Sequence, residues 1–191
     1  MAFLHLLKTQ TSEVHAALET QLDIVRHFDS RTSYLKLLEG FFTLYEPLEQ
    51  RLATALDWSA EGWDYEGRRK TPWLEEDLAA LGLVPQDVAA LSRCADLPDI
   101  HSPAAAVGCL YVLEGSTLGG QVITRLLGQH LDIPPDQGGS FFAGYGPETV
   151  GRWREFGTWA EAWSTRHPQD HPAAVEAARQ TFDVFARWLT S

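Results

Sequence analysis

No run of 18 or more apolar residues occurs in this sequence, so no membrane-spanning helix is expected. The first residues, Met1-Ala2-Phe3-Leu4-His5-Leu6-Leu7-Lys8, lack a basic region followed by an apolar segment, which argues against a secretory leader. Cysteine is scarce. Cys94 and Cys109 both stand in helix-like apolar surroundings, and a reduced, cytoplasmic chain is the simpler expectation. Basic residues number only 15 against 26 acidic ones, a net charge of −11. That deficit argues against nucleic acid and against an anionic membrane surface as partners, since both reward lysine and arginine. Most catalytic signatures are also missing: CxxC, HExxH, GxxxxGK[ST] and GxSxG do not occur. Neither does the ExxH pair that a ferritin-like di-iron bundle requires. Alternating strand patterns and repeats are absent too.

What is present is helical periodicity over one domain's length, residues 1–191, with 45% hydrophobic and 21% charged residues. The expected fold is all-α. Leu4, Leu7, Thr11, Val14, Leu18 and Leu22 mark a first helix, and Asp29-Ser30 caps a second, broad apolar one through Leu48. Pro47 should bend or locally break it. Residues 57–72 read as a loop holding Trp58, Trp63, Tyr65 and the Arg68-Arg69-Lys70 run. Helices are expected from Trp73 to Leu83, from Pro85 to Cys94, and from Ser102-Pro103 to His130-Leu131. After an aromatic, glycine-rich connector at 138–146, two more run from Pro147 to Ser164 and from Pro172 to Leu189.

The long helix contains Leu110-Tyr111-Val112-Leu113-Glu114-Gly115-Ser116-Thr117-Leu118-Gly119-Gly120-Gln121-Val122-Ile123. Three interior glycines cost about 3 kcal/mol of helix stability relative to alanine. Gly115 and Gly119, four apart, bare one helix face, and Ser116 and Gly120 widen it. Two explanations are open: close packing against another helix, or a flat ligand lying on exposed backbone.

His15 weighs on that choice. Glu19, at i+4, can accept a hydrogen bond from one ring nitrogen, fixing the tautomer and freeing the other nitrogen for a metal. Lys8 lies seven residues earlier, about 10.5 Å along the helix axis at the usual rise. A histidine on iron with a cation at that distance suits a haem, whose carboxylates sit at one edge. A plain surface histidine is the bland alternative, and the His167/His171 pair, interrupted by Pro168, is read as loop.

The segments Glu13-Val14-His15-Ala16-Ala17-Leu18-Glu19 and Tyr111 to Gly120 resemble the proximal and distal helices of haem oxygenases. Tyr45-Glu46-Pro47-Leu48-Glu49 and Phe141-Phe142-Ala143-Gly144-Tyr145-Gly146 are similar to bacterial members, of the kind associated with bacteriophytochromes. The resemblance implies a helical bundle holding haem b between a proximal N-terminal helix and a glycine-kinked distal helix. It implies His15 as the axial iron ligand with Glu19 behind it, and Gly115, Gly119 and Gly120 letting distal backbone approach haem and oxygen. Lys8, Arg154 (with Arg152 nearby) and Tyr111 would meet the haem carboxylates, and Phe182 would line the pocket. The implied reaction is oxidative cleavage of haem to biliverdin, carbon monoxide and ferrous iron, with O2 and an external electron donor such as a ferredoxin or reductase. A bacteriophytochrome would receive the biliverdin. One departure stands out: Ser116 occupies the place of the family's distal aspartate, so proton delivery would rest on Ser116, waters and backbone, with Tyr45 as helper. Two competing readings are a haem carrier or sensor that does not turn over, and a haem-free helical interaction module.

Overall fold

The computed structural model describes residues 2–190, and among them there are helices and turns but no strand. Helix α1 spans Ala2–Leu22, α2 Arg31–Ala55, α3 Thr71–Ala80, α4 Pro85–Ala90 and α5 Pro103–Ser116. After a 3-10 turn at Thr117–Gly119 come α6 Gly120–Leu131, α7 Ser140–Ala143, α8 Thr149–Arg166 and α9 His171–Leu189. The expected caps form. Ser30 accepts from the Ser33 N–H and Ser102 from the Ala105 N–H, each 3.1 Å, and Pro103 stands in the first turn where it loses no bond.

Helix α9 is the spine on which both candidate ligand-facing elements lie. Its contacts with α1 advance in step: Phe3 meets His171 (ring centroids 4.8 Å), the Gln10 carbonyl accepts from Arg179 (2.7 Å), and His15 meets Phe182 (4.9 Å). The two helices therefore run in the same direction. On its other side α9 takes α5 at very short range. A Cβ on Gly108 would collide with the Ala174 carbonyl, so only glycine permits this crossing. Cys109 is buried here, and burial pushes its thiol up to about 12, which leaves it unreactive at neutral pH.

One sequence expectation is revised. Pro47 does not break α2, which continues to Ala55. Pro47 cannot donate to the Thr43 carbonyl four residues back, and the Cys94 N–H supplies that bond instead at 2.9 Å. The 57–72 segment is the expected loop up to α3, and it is a packed one: Trp58, Trp63, Tyr65, Arg68 and Lys70 are all buried.

The short helix α7 is held from α3. Asp77, buried, accepts the Ser140 and Phe141 N–H groups at 2.8 Å each. Burial raises its carboxyl from 3.8 to about 6, despite those two bonds pulling the other way. A carboxyl raised on folding binds its proton more tightly in the native state. Its stabilising contribution is therefore complete below about pH 4 and is lost as pH rises through about 6. Chemical denaturation of wild type and Asp77→Asn should show the difference in stability changing across that window and flat outside it. Parallel pH profiles would assign Asp77 an ordinary carboxyl.

Candidate active site

His15 projects from α1 half exposed, with 54% of its side chain accessible, and its ring stacks on Phe182 at 27°. Its Nε2 lies 3.3 Å from the Glu19 carboxylate, which is itself exposed. A half-turn about the Cβ–Cγ bond would keep the stack and carry Nε2 to the other edge of the ring. The imidazole is thus held in plane by an aromatic partner while its nitrogens stay accessible.

The distal element stands beside it through α9. One turn beyond Phe182, Phe185 meets the edge of Tyr45 on α2 (5.6 Å, 71°), and the Tyr45 hydroxyl reaches Ser116 Oγ at 3.2 Å. Ser116 Oγ donates to the Leu113 carbonyl at 2.9 Å, so Tyr45 is left to donate to Ser116. Tyr45 is fully buried, packed edge-on against Phe141 as well, and burial raises its hydroxyl well above the usual phenol range. It is a fixed donor to Ser116 and not a source of charge. Ser116, Leu118, Gly119 and Val122 by contrast are exposed.

Closer to the helix starts, α1 and α5 touch: the buried Thr11 hydroxyl lies beside the Tyr111 phenol. Beyond that contact exposed residues appear on both elements, His15 on one and Ser116, Leu118 and Gly119 on the other. Among the described residues Lys8 and Arg154 are exposed and have no ion-pair partner. Arg154 neighbours Trp153, whose ring meets Tyr111 at 6.0 Å. Arg152, by contrast, is committed to Glu148 and Glu155 at 3.3 and 3.8 Å.

The sequence profile described as Heme oxygenase matches residues 1–191. The chain belongs to the haem oxygenase family. A curated haem oxygenase of Xanthomonas campestris pv. campestris (strain 8004) is 41% identical over 105 residues, 53% of this chain and 56% of that protein. The match thus spans little more than half the length of that relative. Among solved structures, the Neisseria meningitidis haem oxygenase, described with NO and CO bound, superposes with a TM-score of 0.83 at 23% identity, covering 98% of this chain and 89% of that one. The Leptospira interrogans haem oxygenase gives 0.76 at 19% identity, covering 100% and 99%. At those identities the likeness concerns the fold.

The haem oxygenase glycines divide by what surrounds them. A Cβ on Gly119 would meet nothing within 4 Å, whereas one on Gly115 would rest 3.7 Å from the Trp153 ring. On Gly120 it would collide with the Phe142 carbonyl of α7. The expectation that all three bare the distal backbone toward a ligand is corrected accordingly. Gly120 serves close packing on α7, Gly115 lies beside Trp153, and Gly119 borders open space. Close packing thus accounts for Gly120, and Gly119 is the position left bare.

These residues fit a haem. His15 holds an exposed imidazole flat on Phe182, an arrangement that suits an iron whose other donors come from its own ring. Leu118 and Val122, 43% and 59% exposed and four apart, form an apolar strip that a flat ring would cover. Unpaired Lys8 and Arg154 suit its carboxylates.

Sequence reasoning missed the support behind the distal helix. Glu114, Arg68, Lys70 and Tyr145 form a buried polar cluster. A glutamate on a strongly apolar helix was the signal that could have found it, since such a charge needs partners.

Proposed function

We propose that the chain is a cytoplasmic haem oxygenase that binds haem b between α1 and the distal segment and opens the ring to biliverdin, carbon monoxide and ferrous iron. The observation that carries this reading is the accessible His15, stacked on Phe182, beside an exposed glycine-opened distal turn, in a chain whose whole length matches the family.

Bound haem supplies both the iron that activates O2 and the ring carbon that is oxidised, so cofactor and substrate are one molecule. The protein's residues do the rest. His15 would offer one imidazole nitrogen to the iron, and Glu19 would accept from the ring's other nitrogen and orient it. Gly119 leaves the distal side free of side-chain bulk. Ser116 places a hydroxyl on the exposed distal turn, held by Tyr45 and the Leu113 carbonyl, and by turning from that carbonyl it can pass a proton from water without carrying charge. Lys8, Arg154 and Tyr111 hold the carboxylate edge, and their placement sets how far the ring is turned and which ring carbon is attacked. Electrons come from a donor such as a ferredoxin or reductase, and a bacteriophytochrome receives the biliverdin.

Hemin titration followed by a reductant in air tests the reading: a histidine-ligated Soret band should form and then give way to biliverdin absorption. A haem complex that survives several donors unchanged would make the chain a carrier or sensor, and no Soret shift would make it a haem-free module. Ser116→Ala should leave hemin affinity intact and slow ring opening about tenfold, the cost of one hydrogen bond. An unchanged rate would assign proton delivery to water and backbone.

A further inference from the structure

A cluster of buried charges stands behind the distal helix. The Glu114 side chain is inaccessible; it accepts from Lys70 Nζ, from Arg68 Nη1 at 3.1 Å and from the Tyr145 hydroxyl at 2.9 Å. Arg68 also binds Glu155 at 2.7 Å and the Arg152 carbonyl at 3.1 Å, and Lys70 also binds the Arg68 carbonyl. Buried ion clusters of this kind are often no more stabilising than an apolar replacement of the same shape, because desolvation cancels most of the attraction. What they supply is a fixed geometry.

The main chain of the same residue marks the break in the helix. The Glu114 carbonyl accepts both the Thr117 N–H and, at 2.7 Å, the Thr117 hydroxyl, and α5 gives way to the tighter 3-10 turn there. Ser116 is two residues on and Gly119 five. One residue is therefore clamped by its side chain to the 68–70 segment and the α7–α8 connector, while its backbone begins the turn that presents the cleft residues.

We propose that Glu114 is a positioning residue whose ion cluster fixes where the distal helix breaks, and so where the Ser116 hydroxyl and Gly119 backbone stand toward the cleft. Its functional meaning rests on the haem reading above.

Two variants test this. Tyr145→Phe removes one donor to Glu114 without unpairing a charge, and Glu114→Gln/Lys70→Met removes the closest charged pair together so that neither partner is left alone. In the haem-free protein, the Thr117 to Gly119 amides should exchange about tenfold faster in both, the factor that goes with one lost hydrogen bond, while α9 amides keep wild-type rates. In the hemin complex, Ser116→Ala should shift the pH midpoint of the ferric spectrum in a wild-type background, and that shift should vanish in the double variant. Wild-type exchange at Thr117 to Gly119 in both variants would overturn the proposal, as would an undiminished Ser116→Ala shift. Absence of any histidine-ligated spectrum in wild type would instead sink the haem reading, and amide exchange alone would then decide the role of Glu114.

Discussion

His15→Ala abolishes the histidine-ligated spectrum of the hemin complex, and added imidazole restores it. This expected result follows from the position of the ring, exposed and already held flat on Phe182. Removing the ring leaves a space at the same place, open to solvent, which imidazole can enter. Losing the His15–Phe182 stack costs about 1 kcal/mol of stability at most, so the variant should fold and the spectral loss should not be confounded by unfolding. Absorption spectroscopy of the variant with and without imidazole checks it. A spectrum unchanged from wild type would move the axial role to another residue.

Gly120→Ala destabilises the protein by about 3 kcal/mol, whereas Gly119→Ala, one residue away, is neutral or slightly stabilising. At Gly120 the added methyl meets the Phe142 carbonyl, a backbone atom that cannot turn aside. Relief would need α6 and α7 to separate, and α7 is pinned by Asp77 and by Phe141 packed on Tyr45. In a chain of this size that loss lowers the melting temperature by about 10 °C. At Gly119 the methyl enters open space, and exchanging glycine for alanine in a helical turn gains up to about 1 kcal/mol. Thermal denaturation of the two variants is the check. Equal melting temperatures would mean that the α6–α7 contact yields more readily than its geometry implies.

The contrast between these glycines shows where sequence reasoning stops. Helical periodicity, the Ser30 and Ser102 caps and the i+4 pairing of His15 with Glu19 are local properties, and each was readable without coordinates. Which glycine borders open space and which meets another helix depends on the 3-10 turn between Gly115 and Gly120 and on the distant α7 packed against it. The Arg68-Arg69-Lys70 run was legible as loop, but its burial was not, because its partner Glu114 lies more than 40 residues away in the chain. Pro47 looked like a helix breaker for the same reason, since the N–H that satisfies the Thr43 carbonyl belongs to Cys94. Long-range partners for buried polar groups are the part of this fold that periodicity does not encode.

The central claim is that the chain cleaves the haem it binds. Its most direct test counts carbon monoxide and biliverdin after the hemin-loaded protein is given a reductant and O2, with catalase present to remove free peroxide. The expected result is equimolar release of both products as the Soret band disappears. A Soret band that persists with every donor, or that bleaches without carbon monoxide, would contradict it.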